Sequence, residues 1–297
     1  MALSKEKNFE PQLVSDLITK VKGKSSVAAL SKQAPIAFNG QKEFTFTMDK
    51  DIDIVAENGK KTEGGVSIAP LTIVPIKVEY GARVSDEFMY AADEEKIDIL
   101  KSFNDGYAKK LARGLDLMIF HGINPRTKEA SAVIGDNHLD KKVTQTVDFT
   151  TGNPDQNVET AVSLIQGAEG TVSGMIMDPA FSAELAQMRT ADDNNVRLFP
   201  ELAWGANPGS INGLTTDINN TVSSGTNDLA ILGDFTNGFK WGYAKQIPLE
   251  IIKYGDPDNS GFDLKGYNQV YLRSETYLGW GIMDANSFAR IVKPAEA

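Results

Sequence analysis

The strongest constraint on the fold is an apolar stripe of helical period in the first half of the chain. From Asp93 to His121, apolar side chains recur every three or four residues with charged residues between them, which is the pattern of an amphipathic helix. Acidic residues crowd the start, where the helix dipole favours anions, and Gly122 and Pro125 close the end. The stripe comprises Ile97, Leu100, Phe103, Tyr107, Leu111, Leu115 and Met118. At about 1.5 Å per residue, the sequence predicts a helix roughly 43 Å long.

A long projecting hairpin is predicted before this helix. Alternation of apolar and polar residues over 43–54 indicates one strand, and the extended run from Val66 to Tyr80 indicates a second. Residues 57–65 between them contain Asn-Gly and Gly-Gly, which supply the positive φ that a turn needs. Pro70 and Pro75 remove ladder donors, so the second strand cannot be central along its whole length. Because an isolated hairpin is marginally stable in water, we expect a partner subunit to cover it.

The N-terminal segment, residues 1–38, is predicted to be an arm that packs on another surface. An apolar pattern from Leu13 to Val21 predicts one helix, which is too short to bury its own face. The excess of basic over acidic residues is small, and interleaved aromatic residues are lacking. We therefore expect the arm to contact protein rather than DNA.

The rest of the chain indicates a mixed α/β unit followed by further strands. Asn153-Pro154 and Asp178-Pro179 each place an N-cap residue before a proline that can begin a helix. In this unit, strands are predicted at 171–177, 229–235 and 239–246, and loops at 190–195 and 207–227. Residues 247–255 and 267–284 alternate again, so these strands can pair with the second hairpin strand against the long helix.

Composition excludes several classes of function. The 297 residues carry a formal charge of −10, which argues against tight wrapping of nucleic acid. The absence of cysteine excludes disulfides, thiolate nucleophiles and Cys-ligated metals. No apolar run reaches the ~20 residues of a membrane-spanning helix, and no P-loop, G-x-S-x-G or H-E-x-x-H motif is present. We therefore expect no enzymatic activity, no cofactor, no metal and no membrane partner.

The residues that resemble ligands or catalysts have simpler interpretations. The stretch 49–60 begins like a calcium loop but has Ile54 and Lys60 where that loop needs Gly and Glu. The stretch 256–267, with Asp256, Asp258, Ser260 and Gly261, ends in Tyr267, so we interpret it as a solvated turn. The two histidines are interpreted as a dipole partner at the helix end, for His121, and a loop residue, for His138.

This order of parts resembles the major capsid proteins of tailed bacteriophages, which have the Hong Kong 97-type fold. The passage PIKVEYGARVSDEF (75–88) leads into the long helix, which is called the spine helix in that family, and LAILGDF (229–235) matches a strand of the axial domain. The most specific match is VYLRSETYLGWGIMDANSFARIV (270–292), an Arg-containing strand, a Gly, a second strand and a small-residue turn. The resemblance implies an α+β fold with an N-terminal arm (1–38), an E-loop hairpin (39–76), a peripheral domain (77–144 and 247–297) and a mixed α/β axial domain (145–246).

The resemblance also implies a function: self-assembly into the pentamers and hexamers of an icosahedral shell around phage double-stranded DNA. The implied location is the capsid of the virion, after assembly in the host cytoplasm. Implied partners are other copies, a portal, a separate scaffolding protein and a decoration protein, with weak, non-specific contact to the packaged DNA. Fewer than 40 residues precede the hairpin, so scaffolding belongs either to a separate protein or to a segment already removed. An encapsulin, which is a bacterial storage shell of the same architecture, is the alternative, and a mixed α/β enzyme is a further one.

Two loops are implied to make the contacts between subunits. They are the E-loop tip, with Asn58, Gly59, Lys60 and Lys61, and an axial loop, with Ala191, Asp192, Asp193 and Asn194. Some members of the resembled family join a hairpin Lys to an Asn of a neighbour through an isopeptide bond, for which Asn259 would be the acceptor here. Lys beside Asn-Gly is equally typical of any exposed hairpin tip, so we expect no crosslink.

Overall fold

A computed structural model describes residues 25–90, 93–191 and 194–294. The helix predicted around Leu13 to Val21 lies outside the described residues, as do Asp192 and Asp193. The α-helices are α1 (Ser26–Leu30), α2 (Asp93–His121), α3 (Leu139–Lys142), α4 (Pro154–Gly167) and α5 (Pro179–Gln187). The strands are β1 (Gln41–Met48), β2 (Val66–Ile73), β3 (Ile76–Ser85), β4 (Thr146–Asp148), β5 (Gly174–Met177), β6 (Ser210–Ile211), β7 (Leu214–Ile218), β8 (Asp228–Gly233), β9 (Phe239–Ile252), β10 (Gln269–Ile282) and β11 (Phe288–Val292).

The hairpin is present, but its second strand is shorter than predicted. β1 and β2 pair antiparallel, from Gln41 opposite Ile73 to Met48 opposite Val66. The predicted single strand from Val66 to Tyr80 is wrong, because it divides at Pro75, which has no N–H and restricts the residue before it. Beyond the break, β3 leaves the hairpin and pairs with β10.

The long helix α2 spans the predicted residues and forms the centre of the first hydrophobic core. Tyr107, Leu111, Leu115 and Met118 are all buried, which confirms the register of the stripe over this part of the helix. α2 packs against β10, α1 and α3. None of the helices in the described ranges is long and apolar enough to cross a membrane.

A three-stranded sheet, in the order β3-β10-β9, lies against α2. Residues after α1 run beside its β9 edge, where the Ala34 amide donates to the Trp241 carbonyl at 3.0 Å and the Ile36 amide donates to that of Tyr243 at 3.1 Å. A Cβ on Gly242 would overlap the carbonyl oxygen of Ala34, so this close approach of two backbones requires glycine. The described end of the arm is therefore attached to the sheet.

A six-stranded mixed sheet, in the order β4-β11-β8-β5-β7-β6, carries the second core against α4 and α5. The predicted loop 207–227 is wrong, because it contains β6 and β7. β8 and β9 follow one another in the sequence but enter different sheets, while the C-terminal β11 joins the six-stranded one. The boundary predicted between residues 246 and 247 thus falls inside β9.

The two helices that begin with a proline start where the sequence predicts. The hydrogen bonds that stabilise their first turns differ. The Asp178 carboxylate accepts from the Ala180 amide at 2.8 Å, so it caps α5 as predicted. Asn153 makes no side-chain cap bond to α4, which corrects the prediction. Instead the Asn157 side chain accepts from the Thr150 amide at 3.0 Å and donates to the Asp148 carbonyl at 3.2 Å. Asn157, a residue within α4, therefore connects the first turn of this helix to β4.

Candidate assembly surfaces

The end of the hairpin, residues 49–65, projects beyond the paired strands and exposes apolar side chains. Ile52 is 97% exposed and Ile54 is 96% exposed. The Asp49 carboxylate accepts from the Gly65 amide at 2.6 Å, which closes the base of this loop. Two isoleucines so fully exposed on one short loop indicate a surface that another molecule covers.

The tip residues identified from the sequence lie at the far end of this loop. Asn58, Gly59, Lys60 and Lys61 are all exposed. Asn58 has a φ of 65°, as expected for the turn at this position. The Gly59 amide donates to the Ala56 carbonyl at 2.8 Å, and no described hydrogen bond or ion pair joins these four residues to the chain outside the loop. The tip is thus available for contact with a neighbour.

The root of the hairpin, in contrast, is fixed on the three-stranded sheet. Ile73 is 1% exposed and lies over the glycines of β10. A Cβ on Gly281 would approach Ile73 Cγ1 to 2.9 Å and Leu71 Cδ2 to 3.0 Å, so the GWG sequence makes room for β2. The Glu43 carboxylate also pairs with Lys240 Nζ at 3.0 Å, and this bond lowers the pKa of Glu43. A fixed root with an exposed tip gives the hairpin a defined direction.

The described residues of the predicted axial loop are exposed, and so is Trp204 further along the chain. Ala191 and Asn194 are exposed, and the Thr190 amide donates to the Val196 carbonyl at 2.8 Å to close the loop. Nearby, Trp204 is 96% exposed at a φ of 62°, with the Arg197 guanidinium 5.9 Å from its ring. Trp204 was not predicted from the sequence, although a tryptophan directly before Gly205 was a usable signal.

The acidic turn compared with a calcium loop binds an arginine of β3. Arg83 Nη2 lies 2.6 Å from Asp256 Oδ1 and 2.6 Å from Asp258 Oδ1, and its Nε lies 2.9 Å from Asp258 Oδ2. The bond to Arg83 holds the pKa of Asp258 well below its usual range. The turn is therefore anchored to β3 rather than simply solvated. Asn259 lies within it at a φ of 53° and is exposed.

A buried carboxylate in α2 anchors the chain where the described arm begins. Asp116 accepts from the Ser25 hydroxyl at 2.5 Å, from the Ser26 and Val27 amides at 3.1 and 3.2 Å, and from Asn219 Nδ2 at 2.9 Å. Burial raises the pKa of Asp116 to about 7, against the opposing effect of these donors. The arm, the long helix and the loop after β7 are thereby joined at one point.

A second polar cluster joins the end of α2 to the six-stranded sheet. His121 Nε2 lies 2.8 Å from the Thr221 carbonyl, which can only accept, so this nitrogen carries a proton. His121 Nδ1 lies 2.7 Å from Asp140 Oδ2. Burial lowers the pKa of His121, but the bond to Asp140 outweighs it and the net direction is upward. His121 is thus a structural connector between elements, beyond the dipole partner expected from the sequence.

The same cluster contains side chains that could bind a metal ion, but the Arg290 guanidinium already lies beside its carboxylates. His121, Asp140 and Asp228 each present one ligand atom within 4.8 Å of the others. Arg290 Nη1 donates to Asp140 Oδ1 at 3.2 Å and to Asp228 Oδ1 at 3.0 Å. The guanidinium therefore offsets part of the negative charge of the two carboxylates. His138, half-buried, covers Gly122 at the end of α2, and burial lowers its pKa.

Comparison with known proteins matches nearly the whole chain to one protein family. Residues 9–293 match the model of the phage capsid family. No curated protein matches the sequence. Among solved structures, a chain from Mycobacterium phage Ogopogo is 31% identical with a TM-score of 0.79, and the match covers 91% of this chain and 92% of that one. A chain from Gordonia phage Cozz is 26% identical with a TM-score of 0.75, over 92% and 87% of the two chains.

More distant structures share the fold alone. A chain described as the capsid of an empty GTA particle is 14% identical with a TM-score of 0.65, over 92% of this chain and 97% of that one. These matches confirm the predicted α+β, Hong Kong 97-like architecture and the resemblance read from the sequence. The encapsulin alternative is not favoured, since the matching family is that of phage capsids. The chain belongs to the phage capsid family.

Proposed function

We propose that this chain is the major capsid protein of a bacteriophage, whose copies assemble into the icosahedral shell that encloses the phage DNA. The observation that carries the proposal is family membership over residues 9–293. The exposed isoleucines of the hairpin loop agree with it, because such side chains require a covering partner. A protein with this role needs no catalytic site, and we propose that it has no enzymatic activity.

The assembly unit we propose is a closed ring of five or six copies. Such a ring needs a heterologous interface, in which one patch of each copy meets a different patch on the next. The hairpin tip at Asn58–Lys61 supplies one patch. The axial loop with Ala191, Asp192, Asp193 and Asn194, together with Trp204, supplies contacts around the ring axis. The proposal is supported by the exposure of the four tip residues and, in the axial region, of Ala191, Asn194 and Trp204.

The division into functional parts follows the same scheme. We propose that residues 1–38 act as the arm, 39–76 as the E-loop, 77–144 and 247–297 as the peripheral domain, and 145–246 as the axial domain. Two strands cross these bounds, because β9 begins within 145–246 and pairs with β10, whereas β11 lies within 247–297 and pairs with β8. The two domains thereby share strands and the core around α2.

The further partners are a portal, a separate scaffolding protein and a decoration protein, with weak, non-specific contact to the packaged DNA. The net charge of −10 supports the weak DNA contact, because a container must release its DNA. We propose assembly in the host cytoplasm and a final location in the virion capsid.

Deleting the hairpin tip tests the proposal. Removing Glu57–Gly65 and joining the flanks by a short turn leaves both cores intact, so the subunit is expected to fold. Sedimentation should show large particles for the wild-type protein and only subunits or small oligomers for the deletion variant. Circular dichroism provides the folding control. Particles of wild-type size from the deletion variant would contradict the role of the tip.

A further inference from the structure

A buried carboxylate holds three separate parts of the subunit together. Asp116 of α2 is 0% exposed, and its two oxygens accept hydrogen bonds from five donors. The donors are Ser25 Oγ, the amides of Ser26 and Val27, Asn219 Nδ2 and Thr221 Oγ1. The first three belong to the start of α1, and the other two belong to the loop after β7. We call residues 25–28 the arm root, because this segment detaches from α2 only when its bonds to Asp116 break.

A second carboxylate lies beside Asp116, and the segments that bind it carry no charge. Ser26 donates its amide to Asp116 at 3.1 Å and its hydroxyl to Asp217 Oδ2 at 2.5 Å, so one serine connects the two carboxylates. Residues 25–31 of the arm and residues 219–221 of the loop contain no charged side chain. The negative charge of Asp116 is therefore repelled by Asp217 and is not offset from either segment.

The basic residues of α2 nearest Asp116 along the chain have other partners. Arg113 is exposed, and its Nη1 donates to Asn220 Oδ1 at 2.6 Å. His121 directs Nδ1 to Asp140 and Nε2 to a backbone carbonyl. Among the described hydrogen bonds and ion pairs, none joins Asp116 to a lysine, an arginine or a histidine. Dipoles alone solvate this carboxylate.

A buried carboxylate without a cation favours its protonated form. Burial is the main cause that raises the pKa of Asp116 to about 7, and the charge of Asp217 adds to it. The Ser25 hydroxyl, 2.5 Å from Asp116 Oδ1, can accept the added proton, since a hydroxyl both donates and accepts. When the arm root detaches, water reaches the carboxyl group and its pKa returns to the ordinary range. The attached state therefore binds the proton more tightly than the detached state.

We propose that Asp116 is a pH-dependent latch for the arm: its protonated carboxyl group keeps the arm root on α2, and loss of the proton makes the arm root detach more often. Val27 and Ala28 are buried in the core around α2, so the attached state dominates and pH changes the frequency of opening. The latch is tightest below the ordinary carboxyl pKa and loosens until about pH 7, above which both states are ionised. This inference concerns contacts within one subunit, so it does not rest on the proposed function.

Hydrogen exchange of the unassembled full-length subunit measures the opening of the latch. The amides of α1 (Ser26–Leu30) report on the arm root, after correction for the intrinsic exchange rate at each pH. Their opening constant should rise about tenfold per pH unit between about pH 5 and about pH 7. The amides of β1 (Gln41–Met48) are the internal control, because fraying of the hairpin does not expose Asp116. A corrected pH dependence in α1 no larger than that in β1 would overturn the inference.

Three variants assign the effect to the carboxyl group. Asp116→Asn keeps the shape of the side chain but cannot ionise, so exchange in α1 should lose its corrected pH dependence. Asp98→Asn is the matched control, because Asp98 is exposed on the same helix, and it should keep the wild-type slope. Asp217→Asn leaves Asp116 in place and removes its neighbouring charge, so the opening constant should level off at a lower pH than in the wild type. A wild-type slope in Asp116→Asn, or an unchanged plateau in Asp217→Asn, would overturn the inference.

Discussion

Truncating Leu115 measures how much the subunit depends on the long helix. Leu115 is 0% exposed and lies in the core shared by α2, β9 and β10. Leu115→Ala removes three carbon atoms, worth roughly 2.4 kcal/mol of transfer free energy at about 0.8 per methylene. The enclosed site leaves a cavity, which brings the expected loss to about 3–5 kcal/mol of unfolding free energy. At roughly 2 °C per kcal/mol for a chain of this size, the melting temperature should fall by about 6–10 °C.

The assay is thermal unfolding of subunits kept unassembled at low concentration, followed by near-ultraviolet circular dichroism. Lys109→Ala is the matched control, because Lys109 is exposed two turns earlier on the same helix. Its loss should change the unfolding free energy by less than about 0.5 kcal/mol. Equal shifts for the two variants would refute the packing of α2 described above.

Three further predictions concern pH, crosslinks and backbone contact. Burial raises the pKa of Asp116 to about 7, so the folded state binds this proton more tightly than the unfolded chain; the stabilisation is complete below the ordinary carboxyl pKa and is lost as pH rises through about 7. The melting temperature should therefore fall between about pH 4 and about pH 7, and Asp116→Asn should reduce that slope, whereas an unchanged slope would contradict the linkage. Boiled shells should run as monomers on a denaturing gel; a ladder that Lys60→Arg with Lys61→Arg abolishes would instead reveal an isopeptide bond. Gly242→Ala should cost about 1–3 kcal/mol by pushing the arm off β9, while Gly266→Ala, with open space around its added methyl group, should cost less than about 0.5 kcal/mol in the same melting assay.

The elements that the sequence predicts well are those with long, regular patterns. The stripe from Tyr107 to Met118 keeps its period over several turns, so packing and local preference agree on one helix. The hairpin is predicted for a similar reason, since glycine-rich residues separate two alternating runs. The prediction fails for the length of the second hairpin strand. Apolar and polar residues continue to alternate across Pro75, although the backbone changes its pairing partner from β1 to β10 there.

The pairing of distant strands and the buried polar contacts could not be predicted. β8 and β9 look like consecutive strands of one sheet, and only their partners β11 and β10 decide that they separate. Asp116 looks like an ordinary surface carboxylate on a helix, while its donors come from Ser25, about ninety residues earlier, and Asn219, about a hundred residues later. The contact that we propose for the hairpin tip involves a second copy, so the surface that receives it could not be predicted from one chain.

Electron microscopy of the purified full-length protein tests the central claim most directly. If the chain is a capsid subunit that closes rings through its hairpin and axial loop, micrographs should show hollow, closed shells with icosahedral symmetry and five-fold and six-fold rings of subunits. Class averages should contain a hairpin from each copy lying on the next. Discrete dimers, tetramers or open sheets at every protein concentration would contradict the claim.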